Sequence, residues 1–344
     1  MNVEISIFHD MSKNLIVSLL SDQAVQNVMF IKQMSNEQTE HLFVSTEKME
    51  TKGIKNNVKN VCGIKKEQTI IVVEDSIKDI EKKLNEIDYS NYEKILVNIT
   101  GGTKMMAIAV KGFFDDKSKA EMFYVPIRRN EIVNLRNEKT KKIDCKITLF
   151  DYLRSYGVKV ANKRKLTFSE EYTIKFYEKY YSELSSKGIL SSLRYSRNEN
   201  SIKNIWHELK KIGFEENLKN KDIKYLTGDW FEEFVYFKIR KEKKLTDDYI
   251  KIGLTREGVQ NEFDVMYLDN YELYIIECKT SILNNDKNIV SETIYKAKAL
   301  LKDFGLTVKA SIWTLSSKQE IKNSGMERAD YFDIEIKSGE ELRA

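Results

Sequence analysis

The chain has few of the residues that build metal clusters and covalent staples. Its 344 residues include three cysteines (Cys62, Cys145, Cys278), three histidines (His9, His41, His207) and one proline, Pro126. The cysteines form no CxxC and the histidines are equally dispersed, which argues against a structural zinc site or a disulfide framework. Apolar runs such as LIVSLL fall far short of the roughly 18 residues that cross a bilayer. The N-terminus carries Glu4, His9 and Asp10 rather than a basic-then-apolar signal pattern, so the expected location is cytoplasmic, with no membrane partner. A large excess of charge is also missing. Lys and Arg total 57 against 53 Asp and Glu, a net of +4, so nucleic-acid binding would have to rest on local patches. No internal repeat or low-complexity tract is visible.

What remains is the composition of a mixed α and β protein with real cores, 41% hydrophobic and 32% charged, long enough for two domains or a little more. Unalternating apolar runs at 14–20, 41–46, 70–75, 94–100 and 122–127 read as buried strands. Helical patterns lie between them (VQNVMFIKQM, the TKGIKNNVKNV region, SIKDIEKKLNEI, KMMAIAVKGFF). That order predicts a Rossmann-like parallel sheet with helices on both faces, whose ligands bind outside the carboxyl ends of the strands. Residues 128–150 read as an extra hairpin. Residues 151–225 are polar and helical in pattern, with a basic stretch KVANKRK, and are expected to form a linker and helical segment. From 226 the order is helix, two antiparallel strands, helix (VSETIYKAKALLKDFG) and strand (VKASIWTL), an α/β domain running to 344.

Within that last domain, EFDVMYLDNYELYIIECKT (262–280) reads as a hairpin that carries charge on apolar strands. Glu277 and Lys279 are two apart, so they share a face, while Cys278 points into packing. The LDNYE turn folds Asp264 back towards Glu277. Two carboxylates and an ammonium on neighbouring strands suit phosphodiester hydrolysis, which needs hard oxygen ligands for Mg²⁺ or Mn²⁺ and a cation near the attacking water. A bare ExK is common as a solvated strand end; the D-x(12)-E-x-K spacing on consecutive strands after an acidic helix is more specific. On that helix, GDWFEEFVYFKI, Trp230, Phe234 and Phe237 form a core face, and Glu232 or Glu233 could turn to the metal. Tyr295 and Lys296 on the following helix could reach phosphate, or form an exposed face.

The set resembles the PD-(D/E)xK restriction-endonuclease-like nucleases, although Phe263 stands where their proline would precede Asp264. That resemblance implies Asp264, Glu277 and Glu232 as metal ligands and Lys279 as the catalytic ammonium. It favours Glu232 over Glu233, because the family carries a Gly-x-Trp-x-Glu motif there.

A second informative stretch is VNITGGTKMMAIAV (97–110). A buried strand ends at Thr100, Gly101 and Gly102 permit a sharp turn, and Thr103 and Lys104 open a helix whose N-terminus favours an anion. It is neither GxxxxGK[ST] nor GxGxxG. Two other strand ends face the same edge: Ser21, Asp22, Gln23 and Asn27 after the first strand, Ser45 and Thr46 after the second. Each set could merely cap a helix. Together the S-D-Q, S-T-E-K-M and N-I-T-G-G-T-K exits look like a CARF domain, the CRISPR-associated Rossmann fold. Pairing it with a C-terminal PD-(D/E)xK domain resembles the ancillary nucleases of type III CRISPR antiviral defence, over about 14–150 and 226–320.

The resemblance implies a homodimeric receptor for a cyclic oligoadenylate, most often the cyclic tetra-adenylate. Its phosphates would meet Thr100, Gly101, Gly102, Thr103 and Lys104. Its adenines would meet the Ser21, Asp22, Gln23 and Thr46 loops. Binding would activate cleavage of single-stranded DNA, RNA or supercoiled duplex DNA. The expected division is a sensor over 1–150, a linker over 151–225 and a nuclease over 226–344. The alternative is a cyclic-nucleotide-binding regulator with a non-catalytic C-terminal domain; the Asp264, Glu277, Lys279 set argues against it. Degradation of the ring by the sensor finds no clear base in the sequence.

Overall fold

The computed structural model describes residues 13–162, 164–195, 206–215, 218–258, 262–281, 291, 294–295, 304–305, 308–321 and 323–343. The chain divides into two compact units, 1–158 with 303–307, and 159–302 with 308–344.

The first unit is built on a seven-stranded sheet of order β3-β2-β1-β4-β5-β6-β7. Strands β1 (Lys13–Leu19), β2 (Thr39–Ser45), β3 (Glu67–Ile71), β4 (Tyr92–Asn98) and β5 (Ala120–Tyr124) run parallel. β6 (Glu131–Asn134) and β7 (Thr140–Lys142) form the antiparallel extension expected of the 128–150 hairpin. The apolar runs do not alternate because helices cover both faces. On one face α4 (Ile77–Asn85) and α5 (Lys104–Asp115) bury Ile80, Leu84, Met106 and Val110 against Leu15, Val17 and Leu19. Alternation sends Phe123 to the other face, where α1 (Ala24–Met34) meets it through Phe30, ring centroids 5.5 Å apart. α3 (Ile54–Cys62) and α6 (Leu149–Ser155) pack with α1. The region expected as one helix after β2 is two, α2 (Glu47–Thr51) and α3, because Gly53 turns the backbone into the left-handed region at φ 69. Phe304 belongs to this unit: its carbonyl accepts the buried Tyr152 hydroxyl at 3.0 Å.

Strand order reverses between β1 and β4, so the loops leaving these two neighbours diverge at the carboxyl edge. That is the switch point at which open α/β sheets bind ligands.

The second unit carries a six-stranded sheet of order β13-β12-β11-β10-β9-β8. β8 (Val160–Asn162), β9 (Ile250–Arg256), β10 (Glu262–Asp269) and β11 (Glu272–Lys279) are antiparallel neighbours. β12 (Val308–Thr314) and β13 (Ile334–Lys337) continue the sheet in parallel with β11. The helix Trp230–Glu242 buries Trp230, Phe234 and Phe237 in one core with Ile252, Val265, Tyr267 and Ile276, as its spacing predicts. Residues 151–225 contribute α6 to the first unit and β8 to this sheet. They also supply a helical layer in which Phe168, Tyr172 and Phe176 gather round Tyr225. Most of the helix expected over 290–305, including Lys296, lies outside the described residues.

Candidate active site and ligand loops

The β10–β11 hairpin closes through Asn270 and Tyr271, both in the left-handed region (φ 51 and 62), a turn whose twist matches that of its strands. This fixes the register at Val265 opposite Ile276 and so brings Asp264 level with Glu277. Asp264 Oδ2 accepts the backbone N–H of Cys278 at 2.7 Å. Lys279 Nζ reaches Glu277 Oε1 at 2.8 Å, and both side chains are largely covered. Cys278 is buried between them, as alternation requires. Burial by itself would lower the pKa of Lys279, but Glu277 and Asp264 raise it above the ordinary lysine value. The ammonium therefore stays charged at neutral pH.

Of the two helix carboxylates, Glu232 faces a cleft of about 560 Å³ that Asp264 also lines; Glu277 and Lys279 are not in its described lining. Glu233 is fully buried and accepts the N–H groups of Thr167 (2.7 Å) and Phe168 (3.3 Å). Its role is to fasten the chain after β8 to the helix. Burial, then the charge of Asp264, push the Glu232 pKa up, while the guanidinium of Arg164 pulls it down. Arg164 was not singled out by the sequence. Its guanidinium pairs with Glu232 and donates to the Asp229 carbonyl at 2.9 Å. Lys165, Lys221 and Lys224 line the same cleft and make no ion pair with a described residue. Among the described residues no three His, Cys, Asp or Glu side chains are gathered closely enough to hold a metal ion. Asp264 and Glu232 still fit one as a donor set: hard carboxylate oxygens that line the same cleft.

In the first unit, Gly101 lies so close to the end of β1 that a Cβ would come within 2.0 Å of the Leu19 carbonyl oxygen and 3.3 Å of Ser21 Oγ. Only glycine lets the β4 loop rest on the β1 loop, with Gly102 continuing the turn at φ 74. Thr103 caps α5 by accepting from Met106 N–H at 3.2 Å and donates to the Glu74 carbonyl at 3.0 Å. Lys104, in the first turn, is exposed and without an ion-pair partner among the described residues. Beneath the loop, Asn98 donates to Asn27 (2.8 Å), which donates to the Leu19 carbonyl (2.9 Å), tying the two strand ends together. The other expected ligand residues have local partners. Thr100 accepts Val125 N–H at 2.8 Å, Thr46 caps α2, Ser21 accepts Gln23 N–H at 3.3 Å, and Asp22 pairs with Lys52 at 2.6 Å. Among the described residues, no helix is long and apolar enough to cross a membrane.

A Rossmann-type unit with a glycine turn at its switch point, joined to a sheet carrying Asp, Glu and Lys on adjacent strands, places the molecule in the CARF–nuclease class. More narrowly, residues 15–152 match the family model for the Card1 CARF domain and residues 219–344 that for the Card1-like endonuclease domain, so the chain belongs to the Card1-type CARF endonucleases. No curated protein matches it. Among solved structures it is similar to Can2 from Sulfobacillus thermosulfidooxidans, in complex with cyclic tetra-adenylate, at 21% identity and TM-score 0.72 over 94% of this chain and 95% of that one. It is also similar to protein VC1899 from Vibrio cholerae, at 17% identity and TM-score 0.74 over 96% and 95%. A type III CRISPR defence DNA nuclease activated by cyclic oligoadenylate aligns at 13% identity and TM-score 0.55, over 89% of this chain and 46% of that one.

Proposed function

We propose that the protein is a metal-dependent endonuclease of type III CRISPR defence, switched on when its first unit binds a cyclic oligoadenylate, the cyclic tetra-adenylate being the favoured ring. The observation that carries the reading is the register of β10 and β11, which sets Asp264 level with Glu277 and beside the charged Lys279 in a domain of endonuclease family. Asp264, Glu277 and Glu232 would hold Mg²⁺ or Mn²⁺. Such an ion, when bound, acidifies water and offsets the charge that develops on the scissile phosphate. Lys279, held protonated, orients the water and stabilises that charge rather than serving as a base. Lys165, Lys221 and Lys224 supply phosphate contacts along the cleft, suited to single-stranded DNA, RNA or a supercoiled duplex that is nicked as the product.

On the sensor side, Gly101, Gly102 and Thr103 present backbone at the N-terminus of α5, and Lys104 adds a cation, an arrangement that suits ring phosphates. The Ser21–Gln23 loop, whose Ser21 Oγ lies close to Gly101, would meet the adenines. A two-fold symmetric ring calls for a homodimer. In support, Ile108 on α5 and Val73 after β3 are each 59% exposed, apolar groups next to the ligand loops. Incubation with cyclic oligoadenylates of several sizes, Mn²⁺, and labelled RNA, single-stranded DNA and supercoiled DNA tests the whole reading. Ring-dependent, Mn²⁺-dependent cleavage that Glu277→Ala removes is the expected result. Ring binding without cleavage of any substrate would leave a regulator with a non-catalytic C-terminal domain.

A further inference from the structure

The acidic head of the helix Trp230–Glu242 already holds a cation, and it comes from the chain itself. Arg164 Nη1 donates to Glu232 Oε2, and Nη2 donates to the Asp229 carbonyl at 2.9 Å. Nη2 also lies 3.5 Å from the Asp229 carboxylate and 3.9 Å from Glu233 Oε1. The Arg164 side chain is only 14% exposed, so water screens these contacts poorly. The place is prepared for it. Gly253, at φ 61, leaves room that a Cβ would fill within 2.4 Å of Arg164 Cβ. Residues 167 and 168 are stitched to Glu233 just downstream, which fixes where the guanidinium points. The same arginine lines the cleft that holds Asp264.

We propose that Arg164 is a placeholder for the divalent ion: it neutralises Glu232 in the metal-free protein, and the ion and the guanidinium compete for that carboxylate. The inference rests on the metal-dependent reading given above. Like charges crowded onto one half-buried carboxylate repel, so Glu232 serves one cation at a time. The pairing keeps two facing carboxylates from meeting uncompensated when no metal is bound. It also sets a threshold of metal concentration below which the site stays in its arginine-filled form. A purely structural arginine would have the opposite signature, since removing it would loosen the site and weaken metal binding.

The test is Mn²⁺ affinity of the full chain, read from the electron paramagnetic resonance signal of free Mn²⁺ at fixed ionic strength. Arg164→Gln should bind Mn²⁺ roughly tenfold more tightly than the parent, while Arg164→Lys, which keeps the charge, stays near the parent value. Unchanged or weaker binding by a cooperatively melting Arg164→Gln protein overturns the proposal. Should that variant not fold, the unmodified protein decides: phenylglyoxal, mapped by peptide mass spectrometry, should label Arg164 severalfold faster with Mn²⁺ than with EDTA. Equal or slower labelling overturns the proposal. Asp264→Asn separates the two readings. If it binds Mn²⁺ as the parent does, the metal site itself is wrong; if it loses Mn²⁺ but Arg164→Gln does not tighten binding, only the competition is wrong.

Discussion

The backbone N–H of Cys278 donates to Asp264 Oδ2 at 2.7 Å, which locks this carboxylate of the first hairpin strand to the residue that separates Glu277 from Lys279. Asp264 thus orders the neighbouring strand, besides its proposed part in holding a metal ion. Asp264→Asn keeps an acceptor and should melt near the parent temperature, yet lose at least two orders of magnitude of Mn²⁺-dependent cleavage. Asp264→Ala should in addition cost about 1 kcal/mol of stability, the net worth of one hydrogen bond. Thermal melts beside a cleavage assay check both, and an active Asp264→Asn protein would rule out the assignment.

Glu277→Ala should abolish cleavage and leave ring affinity unchanged, because the ligand loops belong to the other compact unit. Calorimetric titration with cyclic tetra-adenylate and a nuclease assay on the same preparation measure the two separately. Any cleavage that survives at the parent rate excludes Glu277 from the chemistry.

Lys104→Ala should weaken ring binding about tenfold, or about 1.4 kcal/mol, at low salt, with the gap between variant and parent narrowing as salt rises. Gly101→Ala should be worse and insensitive to salt, since its methyl meets the Leu19 carbonyl rather than removing a charge. Titrations at two ionic strengths distinguish the two modes of failure.

His41 gives the first unit a pH dependence. It is buried, its Nδ1 has no hydrogen-bond partner among the described residues, and burial depresses it from 6.5 to about 4, with Glu67 opposing. A base with a lowered folded pKa contributes fully above the unfolded value and loses stability as pH falls. The loss should begin below about 6.5, approach about 1.4 kcal/mol per pH unit, and level off near the folded value. Melting of His41→Leu should show a flatter acid limb than the parent; parallel limbs would exclude His41 as the cause.

Much of this was legible in the sequence because the signals were local. Unalternating runs such as ILVN identified strands covered on both faces, and they form the parallel half of the first sheet. Gly-Gly before Thr-Lys announced a turn into a helix, and the structure adds what the turn avoids, the Leu19 carbonyl. The E-x-K alternation gave one face to Glu277 and Lys279 and the other to Cys278. What stayed hidden depends on long-range pairing. Arg164 meets Glu232 across 68 positions, and nothing in KVANKRK marks one basic residue as inward-facing. The three-residue strand β8 is too short to show a period. Phe168, Tyr172 and Phe176, spaced by four, were a helical aromatic stripe that the surrounding polar residues masked.

The carbonyl of Phe304 that receives the Tyr152 hydroxyl has a practical corollary for dissecting the molecule. A fragment ending at Val158 would leave that hydroxyl bare and open the socket in which Phe304, fully buried, now sits. Such a sensor fragment should be prone to sticking and poorly soluble, whereas adding a peptide spanning residues 303–307 in trans, or grafting it to the fragment's end, should restore a sharp melt.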